Sequence, residues 1–329
     1  RDMNQAILGI DISKETFDAA LMIHGECHHS VFGNHPVGFG RLRNWLVSRK
    51  AGQVHACMEA TGQYGEALAE FLYGEGHQVS VVNPLRIKRY GQSKLHRSKT
   101  DKADAILIAE FCAKETPALW QPLAPEIKQL RQLVRRLDDL QTAYQQERNR
   151  LLSGVSDAWV VKDIKEHIAY LHQAIKSAKA AIQQHVDTYP ELKHNQALLR
   201  TIPGIGFLTA ARLLAEIGDI KSFENAPQLA AYAGLNPKGT RSGTSVSKKT
   251  RISKEGRAFL RYILYMPAIV ASKHNPIIHA FCQRLVQNGL QKMAIVAAAM
   301  RKLLHLVFGI LKTQKPFDPL YLANAQITS

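Results

Sequence analysis

Three prolines, Pro117, Pro122 and Pro125, divide a chain of 329 residues whose hydrophobic pattern changes period across them. Before them, short apolar runs alternate with helical segments. Ala6–Asp11 reads as a buried strand, Thr16–Ile23 as its partner after a tight turn, and Val54–Glu59 and Gln78–Asn83 as further strands. Phe39–Ser48, Gly65–Glu75 and Asp101–Lys114 carry helical spacing. Strands interleaved with helices predict an α/β sheet covered by helices.

Beyond the prolines the chain turns helical. Leu130, Leu133, Val134, Leu137, Leu140 and Tyr144 recur at three- and four-residue steps with Arg, Gln and Asp between them. Gly154 interrupts the pattern, and Ile164, Ile168, Leu171, Ile175 and Ile182 resume it. Two long helices with narrow apolar stripes predict an antiparallel hairpin or coiled coil, packed on its own domain or serving as a dimerisation arm. After Tyr189-Pro190 a third, mostly helical region runs to about Leu311. The expected domains are therefore residues 1–120, 121–190 and 191–329.

A net charge of +16 and a pI near 9.7 favour a polyanionic partner, and nucleic acid is the usual one. No apolar stretch is expected to approach the roughly 20 residues of a membrane-spanning helix, and no signal peptide is visible. Cys27, Cys57, Cys112 and Cys282 are scattered without a CxxC pair, which points to neither a disulfide framework nor a zinc ribbon and suits a reduced, cytoplasmic protein. His24, Cys27, His28 and His29 could bind metal, but they surround Gly25 in what reads as a solvated turn.

Four carboxylates carry the chemical expectation. Asp11 and Glu59 close two of the apolar runs, and Asp101 and Asp104 share one face at the start of a helix. Acids so placed can converge on Mg²⁺, a hard cation that takes oxygen ligands and leaves positions for water and phosphate. A pair of such ions stabilises the attacking and leaving oxygens of a broken phosphodiester. The plain alternative is that strand-end acids are common and first-turn acids complement the helix dipole.

Two basic stretches frame these acids. Arg86, Lys88, Arg89, Lys94, Arg97, Lys99 and Lys102 precede or flank Asp101, and Lys238, Arg241, Lys248, Lys249, Arg251, Lys254, Arg257 and Arg261 form the second. Both are expected to contact phosphates. Within the second, Ser242 and Ser245 lie in a glycine-containing, hydroxyl-rich loop. Such a loop suits a nucleophile attacking phosphorus, or one that merely hydrogen-bonds a backbone. Ile202-Pro203-Gly204-Ile205-Gly206 before a helical run resembles the hairpin of helix-hairpin-helix modules, whose free N–H groups, at Gly204 and Gly206 here, can dock a phosphate.

Taken in order, Gly9-Ile10-Asp11, Glu59-Ala60-Thr61-Gly62, Asn83-Pro84, Lys99 to Ala105, Ile202 to Gly206 and the block from Ala233 to Lys254 resemble the DEDD insertion-sequence transposases, the IS-one-ten family. That family includes bridge-RNA-guided recombinases and is related to pilin-gene invertases. The resemblance covers nearly the whole chain. It implies a RuvC-like, ribonuclease-H-type N-terminal domain, a coiled coil, and a mostly α-helical C-terminal transposase domain. It also implies an acidic tetrad of Asp11, Glu59, Asp101 and Asp104 binding Mg²⁺, and Ser242 as a nucleophile that joins DNA covalently. Ser245 stays open as the alternative hydroxyl. A composite site between protomers of a homo-oligomer, with target and donor DNA and a non-coding guide RNA as partners, follows from the resemblance alone. Two rivals remain: a RuvC-like nuclease using the acids and water, and a non-catalytic nucleic-acid-binding protein. Four intact acids argue against the latter, and the serine block argues against the former.

Overall fold

The computed structural model describes residues 6–60, 64–93, 100–238, 241–242, 246–247 and 251–320. The chain divides into two compact units, residues 1–122 and 123–329.

The first unit is built on a five-stranded sheet. Its strands are β1 (Ala6–Ile12), β2 (Thr16–Ile23), β3 (Glu26–Gly33), β4 (Val54–Glu59) and β5 (Gln78–Val82), in the order β3-β2-β1-β4-β5. β1, β2 and β3 form an antiparallel meander, whereas β4 and β5 run parallel to β1. The helices are α1 (Pro36–Ser48), α2 (Glu66–Gly74), α3 (Pro84–Ser93) and α4 (Asp101–Glu115). Leu8, Ile10, Phe17, Leu21, Leu42, Met58, Leu68 and Leu72 are all fully or almost fully buried in the core. This is the α/β sheet expected from the interleaved pattern.

Two elements depart from the sequence reading. The turn at His24 and Gly25 is shorter than expected, so Cys27, His28 and His29 belong to β3, where His29 faces Asp18 across the ladder at 2.6 Å. β3 escapes notice because its first four residues, Glu-Cys-His-His, lack an apolar alternation. Pro84–Ser93 is helical, although its polar and basic surface gives little apolar signal; only Ile87 and Gly91 are buried.

The second unit is helical. α5 (Pro125–Leu152) and α6 (Ala158–Thr188) pair as a hairpin turned at Gly154, whose φ is +92°. α7 (Pro190–Arg200), α8 (Phe207–Ile217), α9 (Ala226–Tyr232), α10 (Ala258–His274), α11 (Pro276–Gln287) and α12 (Lys292–Thr313) follow. The hairpin and these helices share one continuous core, running from Leu130 and Leu137 through Ile182, Leu199 and Leu214 to Leu264 and Leu304. Gly204 is required in the turn before α8: its φ is +106°, and a Cβ there would stand 2.9–3.1 Å from Ala271 and Pro267 of α10. Short strands β6 (Pro237–Lys238) and β9 (Arg251–Ile252) pair, as do β7 (Arg241–Ser242) and β8 (Val246–Ser247).

α12 corrects one expectation. It is 22 residues long and contains an 18-residue window of mean hydropathy 1.8, long and apolar enough by length and composition to cross a membrane. Its residues Ala299, Met300, Leu303, Leu304, Val307, Ile310 and Leu311 pack into the helical core.

Candidate active site

Asp11 and Glu59 meet because β1 and β4 run in parallel and in register. Gly9 pairs with Cys57 and Ile10 with Met58, so Asp11 and Glu59 come level at the next step. Side chains alternate along a strand, which places Gly9 and Asp11 on one face with Cys57 and Glu59.

α4 packs on that same face. At Gly9 the helix backbone comes so close that a Cβ would stand 2.2 Å from the Ala105 carbonyl oxygen and 2.3 Å from the Ala109 nitrogen. The helix begins at Thr100, whose hydroxyl accepts a hydrogen bond from the Ala103 N–H at 3.2 Å. This cap fixes the first turn, and with it Asp101 and Asp104, near the strand ends. Asp101 is exposed; Asp11, Glu59 and Asp104 are partly buried. Behind them Cys57, Ile108, Phe111 and Cys112 form an apolar floor.

That floor and the crowding of charge set the proton affinities. Asp11 is pushed up to about 6, first by burial and then by repulsion from Asp104, Asp101 and Asp18. Glu59 is pushed up to about 7 by burial, then by Asp11 and Asp104. The acids therefore feel one another strongly. Among the described residues, however, no group of three or more His, Cys, Asp or Glu side chains stands in an arrangement that could hold a metal ion. The donor chemistry nevertheless fits a hard divalent cation: all donors are carboxylate oxygens, and their mutual repulsion is what a cation would relieve.

Asp18 was not among the sequence candidates. It pairs directly with Asp11 across β1 and β2, and its carboxylate is engaged by His29 of β3. The antiparallel pairing of Thr16–Ile23 with β1 was the signal that could have found it.

The basic residues divide. On α3, Arg86 is exposed with its guanidinium 5.4 Å over the Phe111 ring, and Lys88 and Arg89 are also exposed. In the second unit Lys254 is exposed, with φ +56°. Gly206 caps α8 with open space where a Cβ would be. Arg257 pairs with buried Glu216 at 3.6 Å and lies over the Tyr232 ring. Lys94, Arg97, Lys99, Lys248, Lys249 and Ser245 lie outside the described residues. The backbone of Arg241 and Ser242 forms β7 and that of Arg251 begins β9.

Comparison with known proteins gives the site its context. Residues 8–159 match a transposase family model of the DEDD, IS110 type, and residues 196–283 match the IS116/IS110/IS902 transposase family. A pilin gene-inverting protein of Moraxella bovis is 38% identical over 96% of this chain and 98% of its own length. The chain belongs to the IS110/IS116 family of transposases. Its relatives in that family include the pilin gene-inverting protein of Moraxella lacunata, 38% identical over the same share of each chain. The transposase of insertion sequence IS1111A from Coxiella burnetii is 26% identical over 82% of this chain and 78% of its own. Among solved structures, Thermus thermophilus RuvC in complex with a Holliday junction covers 35% of this chain and 99% of its own, at 16% identity and a TM-score of 0.26. That superposition is too loose to bear on function.

Proposed function

We propose that this transposase cleaves and rejoins DNA through a covalent serine–DNA intermediate, with Asp11, Glu59, Asp101 and Asp104 holding Mg²⁺. The observation that carries the reading is the convergence of Asp11, Glu59 and Asp104 at one end of the sheet, with Asp11 and Glu59 raised towards neutrality first by burial and then by the charge of the neighbouring acids. Strand ends with a structural role alone gain nothing from such crowding, whereas a site for cations needs it. When bound, Mg²⁺ would neutralise the phosphate and stabilise the leaving oxygen.

The residues themselves do the rest. Ser242 attacks phosphorus, its oxygen forming a new phosphodiester as the DNA strand's 3′ or 5′ oxygen leaves with a proton. The exchange conserves the phosphodiester, so the strand can be resealed by the reverse attack. The basic stretches, including Arg86, Lys88 and Lys254, hold the DNA backbone. A homo-oligomer on DNA, with acids and serine from different copies, and a non-coding RNA that pairs with target and donor belong to the same proposal. The resemblance to bridge-RNA-guided recombinases supports them. The pilin gene-inverting relatives favour inversion as one outcome of the same chemistry.

The deciding experiment traps the reaction, digests the protein and seeks a nucleotide adduct on the peptide holding Ser242 and Ser245. An adduct on Ser242 supports the assignment, and one on Ser245 moves the role three residues along. Normal cleavage by Ser242→Ala without any adduct refutes the serine chemistry in favour of hydrolysis.

A further inference from the structure

The helical unit buries one carboxylate beneath three guanidiniums. Glu216, in the last turn of α8, has no exposed surface. Its Oε1 accepts a hydrogen bond from Arg135 Nη2 at 3.2 Å and lies 3.8 Å from Arg131 Nε. Its Oε2 lies 3.6 Å from Arg257 Nη1 and accepts no hydrogen bond.

The three cations are not equivalent. Arg131 is 14% exposed and donates to the Ala215 carbonyl at 2.9 Å, so its charge is used inside the fold. Arg135 and Arg257 keep 40% and 41% of their side chains exposed. Neighbouring Arg212 is matched by Asp138 and Gln141. Glu216 thus stands under a surplus of two positive charges, carried on forks with five N–H donors each, of which the carboxylate engages one of Arg135 and none of Arg257.

Fold stability does not explain this surplus. A buried ion pair seldom repays its desolvation. One arginine would neutralise Glu216, and each further one adds repulsion. Burial depresses the proton affinity of Arg131, and both Arg257 and Arg135 add to that depression. An anion outside the carboxylate would relieve the repulsion and use the idle donors. Planar forks suit the oxygens of a phosphodiester, and the charge of +16 selects nucleic acid over other anions.

The place is also suited to DNA. The backbone N–H of Arg257 donates to the Tyr232 carbonyl at 2.8 Å, and its guanidinium lies 5.4 Å over the Tyr232 ring, which fixes the residue. Arg257 follows β9, whose pairing with β6 closes the base of the segment that holds Ser242.

We propose that Arg135 and Arg257, aimed by the buried carboxylate of Glu216, clamp one backbone phosphate of the DNA strand engaged by the serine-bearing segment. Glu216 is a positioning residue here, and the site rests on the DNA-recombination reading above.

The test measures binding of the full chain to a labelled DNA duplex across a salt series, with circular dichroism to confirm folding. Arg135→Gln and Arg257→Gln should each weaken binding about 5- to 10-fold with little change in the slope of log affinity against log salt, because the remaining arginine still neutralises the shared phosphate. The double variant should flatten the slope by about one, the share of a single phosphate. Arg135→Lys should keep the slope and lose affinity, since a point charge replaces the fork. Glu216→Gln raises the net positive charge and should nevertheless weaken binding. If the folded arginine variants keep wild-type affinity and slope, or Glu216→Gln binds more tightly, the clamp is overturned. Should Glu216→Gln fail to fold, the arginine variants still decide. The readout is binding, so a missing serine adduct with the slope change intact would overturn the serine assignment and support the clamp. A wild-type chain that does not bind DNA overturns both.

Discussion

Gly9→Ala tests the contact on which the acidic site depends. The added methyl would stand 2.2 Å from the Ala105 carbonyl oxygen, 2.3 Å from the Ala109 nitrogen and 2.8 Å from the Ala109 Cα. Ordinary contact begins near 3.4 Å, so α4 must retreat from β1 by roughly 1 Å. No flexible side chain can give way, because every atom in the clash is helix backbone. Overpacking typically costs 1–3 kcal/mol, and a backbone clash belongs at about 3 kcal/mol or above. That corresponds to a melting temperature lower by roughly 10 °C for a unit of this size. The retreat also carries Asp101 and Asp104 away from Asp11 and Glu59, and a misplacement of about 1 Å can cost about 100-fold in rate. Urea denaturation and Mg²⁺-dependent DNA cleavage, measured on the same preparation, read both effects. A variant within about 0.5 kcal/mol of wild-type stability and near wild-type in cleavage would show that α4 does not lie on Gly9 as described.

Further outcomes follow from the charges. Asp11 and Glu59 take up protons near 6 and 7, above their ordinary 3.8 and 4.5, so the folded chain holds these protons more tightly than the unfolded one. Metal-free stability should therefore fall as pH rises from about 4 to about 7 and level off above. Unscreened, the Asp11 share would be about 3 kcal/mol, and with the carboxylate half exposed it comes to about 1 kcal/mol. In chelator, Asp11→Asn should gain on wild type by that amount at pH 8 and by nothing at pH 4; parallel pH curves for the two proteins would contradict the raised proton affinity that burial and the neighbouring acids give Asp11. Asp104→Asn should abolish DNA cleavage with binding intact, so cleavage at the wild-type rate in Mg²⁺ would remove the aspartate from the site. Asp138→Ala leaves Arg212 buried against Gln141 alone and should cost about 3 kcal/mol, most of it recovered when Arg212→Met is added. A loss below about 1 kcal/mol in denaturation would show that the pair is not desolvated.

The sequence alone determined most of the elements. Apolar runs bounded by Asp11 and Glu59 mark strands because a sheet covered on both faces needs continuous hydrophobic residues. The three- and four-residue steps of Leu130 to Tyr144 mark a helix with one buried stripe. The motifs around Asp11, Glu59, Asp104 and Ser242 were enough to suggest the family, because they are local strings of residues. β3 and α3 stayed hidden because each buries only a few residues, leaving few apolar side chains to mark them.

What depends on contacts distant along the chain was decided by the tertiary structure. The parallel register of β1 and β4 sets Asp11 beside Glu59, the closeness of α4 makes Gly9 obligatory, and the meander places Asp18 against Asp11. Arg131, Arg135 and Arg257 look in sequence like solvated charges among many others. Only the packing of α5 and the start of α10 against α8 buries Glu216 among them, because burial and charge balance belong to the space between elements and not to any single stretch of chain.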